Sequence, residues 1–354
     1  MSQLQELWYI YLWLLIIKMK EDRSVIIWLL SGCFLIFTMV IIGGITRLTE
    51  SGLSMVDWNL FMGAIPPLND IQWQETFNLY KKSPEFLKVN YNFTLKEFKF
   101  IFFWEYLHRL IGRVLGIVFI IPFIYFILKK KLNNKLKIQT TILLIMGSMQ
   151  GAIGWWMVKS GLVNRPDVSH FRLAVHLITA FLTCAYTLWI ALPLIFKKKG
   201  IGNIKLFRLN ISLLILVIIQ IIYGAFVAGL NAGYGFNTWP LMNGEWIPEA
   251  VYSLKPFWRN FTEAPYGVQF IHRTLALFII SIVFFIWNYS KNMKLNIVQK
   301  KALKIQFSIV ILQIILGVLT LILIIPISLA LAHQVAAFFL LMSVVYTLFV
   351  FKVS

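Results

Sequence analysis

Four of the five histidines in this chain form two similar pairs, and histidine is a common metal ligand. His108 is followed at some distance by His176, and His272 by His333, and all four lie in long apolar segments. Two imidazoles on facing helices can bind one metal ion, although a single histidine in such a segment often serves only packing or hydrogen bonding. The fifth histidine, His170, has no counterpart, and we expect it to be an ordinary surface residue.

The residues around the second pair favour haem over zinc. Two axial nitrogen ligands suit a haem iron, whereas a zinc ion takes three or four protein ligands. No Cys, Asp or Glu lies at the expected depth of His272 and His333, so this pair predicts a bis-histidine haem b site. Four glycines nearby would allow the close approach of a flat macrocycle or, equally, of another helix: Gly151, Gly154, Gly224 and Gly317.

A carboxylate distinguishes the first pair from the second. Glu105 precedes His108 by three residues, so the two share a helix face, whereas Gln269 stands at the same distance before His272. A carboxylate beside a haem ligand can take up protons or stabilise positive charge. An ion pair with the arginine four residues later fits the spacing as well. Three arginines near these histidines could contact haem propionates or lipid phosphates, and the sequence leaves their roles open: Arg109, Arg113 and Arg273.

The elements that carry these residues are long and apolar. Hydrophobic residues make up 59% of the chain and charged residues 13%, which excludes an ordinary soluble protein. A helix of about 20 apolar residues spans the hydrocarbon core of a bilayer. We therefore predict an all-α integral membrane protein with eight transmembrane helices, near residues 25–45, 105–128, 139–158, 172–196, 207–228, 268–288, 303–325 and 328–351.

The chain also repeats itself. Glu105-Tyr-Leu-His-Arg109 begins the second predicted helix, and Gln269-Phe-Ile-His-Arg273 begins the sixth. We predict two pseudo-symmetric four-helix bundles, at residues 25–200 and 201–354, after an N-terminal cytoplasmic or interfacial segment at 1–24. Parallel repeats also occur in transporters, so the repeat alone names no function.

The net charge of +19 is concentrated in short loops, which argues against a nucleic-acid surface. Lysine clusters follow the second, fourth and sixth predicted helices, and short positive loops remain on the cytoplasmic side. We therefore expect both termini inside and the loops 46–104 and 229–267 outside. Cys33 and Cys184 lie in predicted spans, where we expect no disulfide.

The first residues have several interpretations. The apolar run Leu7–Ile17 is too short to span a membrane, and it is either interfacial or signal-like, while Met19 offers an alternative start. No clear Arg-rich, acid-poor transit peptide precedes the first span, which favours a bacterial inner membrane over the alternative, the mitochondrial inner membrane.

An ordered set of motifs resembles the haem A synthase family, in the subtype of mitochondria and related bacteria. The resemblance covers residues 25–350, although the cysteine pair that some relatives carry in the first outer loop does not occur in residues 46–104. The matching segments are residues 43–55, Pro66-Pro67, 105–109, 150–162, 172–176, 226–230, 237–242, 269–273 and His333-Gln334.

The resemblance implies an oxidoreductase that converts the C8 methyl group of haem O, through an alcohol, to the formyl group of haem A for cytochrome oxidase. It implies that His272 and His333 hold a haem b cofactor in the second unit. It also implies that His108 and His176 bind the iron of the substrate haem in the first unit, with Glu105 as the catalytic residue.

The expected partners follow from the same resemblance and from the logic of the pathway. They are haem O, the protohaem farnesyltransferase that makes haem O, an electron-transfer partner and membrane lipid, with no nucleic acid. The residues by themselves leave two other functions open. A bis-histidine cytochrome b would transfer electrons without needing an asymmetric glutamate, and a two-repeat transporter would contain no haem.

Overall fold

A computed structural model describes residues 23–56, 65–162, 166–196 and 202–352. Within these ranges eight helices are long and apolar enough to cross a membrane, as predicted. The run Leu7–Ile17 and Met19 lie outside the described residues. The helices in chain order are α1 (Arg23–Leu48), the short α2 (Asp70–Tyr80) and α3 (Pro84–Lys88), α4 (Leu95–Leu128), α5 (Asn134–Lys159), α6 (His170–Ile195), α7 (Ile204–Gly229), α8 (Pro265–Lys291), α9 (Ile297–Ile322) and α10 (Ile327–Phe351).

All eight spans begin before the predicted residue, and the two with the largest differences, α4 and α9, start at capping boxes. At α4 the Thr94 side chain caps the backbone of Glu97, whose carboxylate bonds back to Thr94, so the helix includes ten residues that we expected in the loop. Asn296 and Gln299 form the same capping box at the start of α9. The added turns of α4 carry Phe98, which packs into a small apolar core of the loop between α1 and α4.

The core runs through α1, α6, α7 and α10, while a smaller share of α4, α5, α8 and α9 is buried. The largest buried cluster contains Ile36 of α1, Phe181 of α6, Leu213 of α7 and Leu341 of α10. The first four and the last four spans therefore share one core. Their division into two units at residue 200 stays a prediction.

The two cysteines, which we expected in separate spans, face each other across the contact of α1 with α6. The Cys33 sulfur lies 4.0 Å from the carbonyl oxygen of Cys184, and the Cys184 sulfur lies 3.8 Å from that of Cys33. Both are free thiols. They belong to the packing between α1 and α6.

Candidate functional site

Each of the four paired histidines packs against a glycine of the preceding membrane-spanning helix. A β-carbon added to that glycine would lie between 2.8 and 3.3 Å from Cε1 of the imidazole ring, which is tighter than an ordinary contact. Three of the glycines singled out from the sequence therefore contact histidine rings, whereas a β-carbon on Gly151 would meet nothing within 4 Å. The four contacts join Gly43 to His108, Gly154 to His176, Gly224 to His272 and Gly317 to His333.

The geometry of the second pair fits a metal held between two imidazoles. The ring centroids of His272 on α8 and His333 on α10 are 6.4 Å apart, with an angle of 78° between the ring planes. Metal–nitrogen bonds of about 2 Å on each side, with roughly 1 Å from nitrogen to ring centre, need about 6 Å. His333 Nδ1 lies 3.1 Å from the carbonyl oxygen of Gln313. A carbonyl only accepts, so Nδ1 carries the proton, and the lone pair of Nε2, which is the ligating position, lies 3.3 Å from the side-chain amide nitrogen of Gln313.

The first pair is less fully supported by hydrogen bonds. His108 on α4 and His176 on α6 are close enough to interact electrostatically. Their Nδ1 atoms are buried and, like Nδ1 of His272, have no hydrogen-bond partner among the described residues, so of the four only His333 has a bonded Nδ1. In the described part of the chain, no group of three or more His, Cys, Asp or Glu side chains lies together as a metal site. Each histidine pair thus offers two ligands, as an iron with two axial imidazoles requires.

Glu105 is buried beside the first pair and accepts hydrogen bonds from three groups. Ser54 Oγ donates to Oε2 at 2.7 Å, the Met55 backbone N–H donates to the same oxygen at 2.8 Å, and Arg109 Nη2 lies 2.5 Å from Oε1. The ion pair with Arg109 that the spacing allowed is therefore present. Hydrogen bonds from a charged donor or to a charged acceptor are the stronger ones, so this carboxylate is fixed in place.

The corresponding residues of the second pair contact the loop after α7. Gln269 Nε2 donates to the carbonyl oxygen of Phe236 at 3.1 Å. Arg273 donates through Nη2 to the same oxygen at 2.6 Å and through Nη1 to the carbonyl oxygen of Thr238 at 2.9 Å. Two of the three guanidinium nitrogens of Arg273 thus donate to carbonyl oxygens of this loop.

A second buried carboxyl group, which the sequence did not single out, lies in the loop between α1 and α4. Tyr80 OH donates to Glu85 Oε2 at 3.0 Å, and Asn90 Nδ2 donates to Tyr80 OH at 2.9 Å. The pKa of Glu85 is raised to about 8, mainly by burial and less by the charge of Glu105, against the lowering effect of the hydrogen bond from Tyr80. Glu85 is therefore mainly protonated at neutral pH.

His170 is not on the open surface as expected. Its ring is half-buried, and Nε2 lies 2.8 Å from the carbonyl oxygen of Thr262 in the loop before α8. A β-carbon on Gly229 would lie 2.5 Å from His170 Cβ, so the residue sits in the close contact between α6 and the end of α7. It has a structural contact and lies outside the two pairs.

Comparison with known proteins agrees with these features. Residues 26–345 match the family described as cytochrome oxidase assembly protein. The haem A synthase of Flavobacterium psychrophilum is 53% identical over 334 residues, which cover 93% of this chain and 98% of the relative. Those of Flavobacterium johnsoniae and Wolbachia pipientis wMel are 50% and 44% identical, covering 93% of this chain and 98% and 93% of the relatives. The resemblance predicted from the motifs is confirmed.

Proposed function

We propose that this chain, which belongs to the family of cytochrome oxidase assembly proteins and functions as a haem A synthase, oxidises the C8 methyl group of haem O to a formyl group. One observation supports this reaction most directly. The buried carboxylate of Glu105 is fixed three residues before His108, whereas the same position before His272 holds the neutral Gln269. Only the first pair has an acid–base group beside it.

We assign the second pair, His272 and His333, to a resident haem b. Its support is the centroid distance of 6.4 Å and the proton on His333 Nδ1, which leaves the lone pair of Nε2, at 3.3 Å from the Gln313 side-chain amide nitrogen, for a metal. A haem bound there supplies one-electron transfer. Gln313 and Gly317 orient the imidazole of His333 through the carbonyl and the close backbone contact.

In the first pair, His108 and His176 bind the iron of the substrate, and Glu105 accepts protons that the reaction releases. With water as the source of the oxygen atom, oxidation of a methyl group to a formyl group releases four protons and four electrons, so a nearby base is needed. Oε2 of Glu105 accepts a hydrogen bond from Ser54, whose hydroxyl can turn and accept one once that oxygen is protonated. Arg109 stabilises the anionic form. Glu105 can therefore alternate between the two forms without leaving its position.

The membrane position and the partners follow from this role. The chain crosses the membrane several times, and its lysine-rich short loops support a cytoplasmic location for both termini in a bacterial inner membrane. Haem O comes from a farnesyltransferase, and the electrons removed from the methyl group pass to an electron-transfer partner. We keep the division into a substrate unit, residues 25–200, and a haem b unit, residues 201–354, as part of the proposal.

The function is tested by purifying the protein from cells that also make haem O and identifying the extracted haems by chromatography and mass. We expect haem b together with haem O, its alcohol or haem A. The variant His176→Ala should keep haem b and lose most of the other haems, while the control His170→Ala should keep both. Haem b alone from the wild-type protein, or no haem at all, would contradict the proposal.

A further inference from the structure

Within one turn, helix α1 contacts a histidine of the first pair and the residue that follows a histidine of the second. Gly43 packs against His108, and the next residue, Gly44, faces α10. A β-carbon on Gly44 would lie 2.9 Å from Gln334 Oε1 and 2.9 Å from Leu331 Cδ1. The two successive glycines thus place bare backbone against a ligand of the first pair and against the residue that follows His333.

Gln334 fixes this contact with a hydrogen bond as well as by packing. Its Nε2 donates to the carbonyl oxygen of Val40 on α1 at 2.9 Å. A backbone carbonyl inside a helix already accepts the hydrogen bond of its own helix. The Gln334 amide therefore adds a second bond, between two helices, in an apolar setting. His333 is then held from two sides, by Gln313 on α9 and, through its neighbour Gln334, by α1.

The residues that follow the other three histidines make no such link. Arg109, after His108, bonds to Glu105 and to the loop carbonyl of Met55. Arg273, after His272, bonds to the loop after α7. Leu177, after His176, is apolar and packs beside a small cluster of α6 with α7.

A second contact of α1 reaches the helix that supports the other ligand. Arg47 Nη2 donates to the carbonyl oxygen of Ala228 at 2.6 Å, and Ala228 lies one turn beyond Gly224, which packs against His272. Helix α1 is thus in contact with His108 through Gly43, with the neighbour of His333 through Gly44, and with α7 through Arg47.

We propose that Gln334 and Gly44 are positioning residues that couple the two haem sites, so that occupation of the first pair changes the environment of His333. This inference rests on the proposed function, because it needs a haem at each pair. Coupling between two sites is reciprocal, and it needs an element that both ligands contact. The turn of α1 at Gly43 and Gly44 is that element.

The experiment compares the reduction potential of haem b in protein purified with and without haem O. The variants are Gln334→Leu, which removes the amide, and Gly44→Ala, which forces it away. Two matched controls carry the same substitutions elsewhere. Gln306→Leu removes another cross-helix bond, from Gln306 Nε2 to Asn210 Oδ1 at 2.9 Å, and Gly116→Ala adds a methyl group that meets nothing within 4 Å.

The charge of bound haem O acts through space in all of these proteins, so the contact is measured by the difference between variants and controls. Haem O changes the reduction equilibrium constant of haem b by some factor, and we expect that factor to be at least threefold smaller in Gln334→Leu and Gly44→Ala than in the wild type. This difference corresponds to roughly 28 mV in reduction potential. Both controls should behave like the wild type. An equal effect in all five proteins would overturn the coupling. Absence of haem b or haem O from the wild type would instead contradict the proposed function, and with it this inference.

Discussion

The loops beside the two histidine pairs present opposite hydrogen-bonding groups to Glu105 and to Gln269, the residues three positions before His108 and His272. The loop after α1 offers donors to Glu105, namely the Ser54 hydroxyl and the Met55 N–H. The loop after α7 offers carbonyl oxygens, from Phe236 and Thr238, to the side-chain donors of the second pair. A carboxylate in place of Gln269 would face a carbonyl oxygen. An amide in place of Glu105 would offer the Ser54 and Met55 donors a neutral acceptor instead of an anion.

The packing of the histidines differs much less between the two regions than their polar contacts do. All four rings lie against a glycine of a neighbouring helix. In the second pair the glutamine four residues before that glycine also bonds to a histidine: Gln220 Nε2 donates to the His272 carbonyl, and His333 Nδ1 donates to the Gln313 carbonyl. In the first pair Gln150 bonds to Thr179, and Met39 takes the place of the other glutamine. The same contact of a ring with a glycine thus accompanies two pairs whose polar surroundings differ.

The largest effect should come from removing a ligand of the second pair. His333→Ala or His272→Ala leaves one axial nitrogen where two are needed, so the low-spin haem b spectrum should disappear. The measurement is the reduced-minus-oxidised absorption spectrum of purified protein. His170→Ala serves as the control and should keep the spectrum. An unchanged spectrum in either ligand variant would place the haem ligands elsewhere.

Alanine at the ring-contacting glycines should have smaller and graded effects. A β-carbon on Gly317 would lie 2.8 Å from His333 Cε1, which real contacts essentially never show, while one on Gly154 would lie 3.2 Å from His176 Cε1. Overpacking of this kind costs about 1–3 kcal/mol. We expect Gly317→Ala to lower haem b content about tenfold and Gly154→Ala to lower bound haem O only two- to threefold. Equal losses, or a loss in Gly116→Ala, would contradict the graded contact.

The smallest effect is the change with pH in the stability of the loop between α1 and α4, which contains the buried Glu85. Its pKa is raised to about 8, from an ordinary value of 4.5, by burial and by the charges of Glu105, Glu50 and Asp167. The folded loop therefore binds one more proton than the opened loop between about pH 4.5 and 8, so its stability falls as the pH rises through that window and levels off above it.

Hydrogen exchange of the backbone around Tyr80 and Phe98, corrected for intrinsic rates, measures this opening. We expect the opening constant of the wild-type loop to rise with pH, up to about tenfold per unit, across this window. Glu85→Gln keeps an acceptor for Tyr80 OH and cannot ionise, so its curve should be flat. A wild-type curve as flat as that of the variant would show that Glu85 is not held protonated.

The sequence was sufficient to predict the spans, because each is an apolar run bounded by charges. It placed the beginning of α4 too late, since the first turns of that helix are polar on one side and are fixed by the Thr94–Glu97 capping box and by packing of Phe98 on the loop. The shared core of α1, α6, α7 and α10 was also not predictable, because tertiary neighbours leave no trace in hydropathy.

For the site, spacing predicted the histidine pairs and the contact of Glu105 with Arg109, which is a helical neighbour. It did not identify Ser54 and Met55 as donors, because they approach Glu105 only through the fold of the loop after α1. Gly43 occurred in a motif that supported the resemblance, but its contact with His108 depends on how α1 packs on α4. Glu85 carried no spacing signal at all.

The most direct test of the difference between the two regions is the conversion of haem O by Glu105→Gln, with Glu85→Gln as the matched control. Both variants replace a buried glutamate by its isosteric amide, but only Glu105 lies beside a histidine pair. General acid–base groups contribute about 10²- to 10⁴-fold, so Glu105→Gln should lose at least 100-fold in haem A formation while the haem b spectrum persists. Glu85→Gln should convert haem O like the wild type. Full conversion by Glu105→Gln would contradict the assignment of Glu105 as the group that makes the first site reactive.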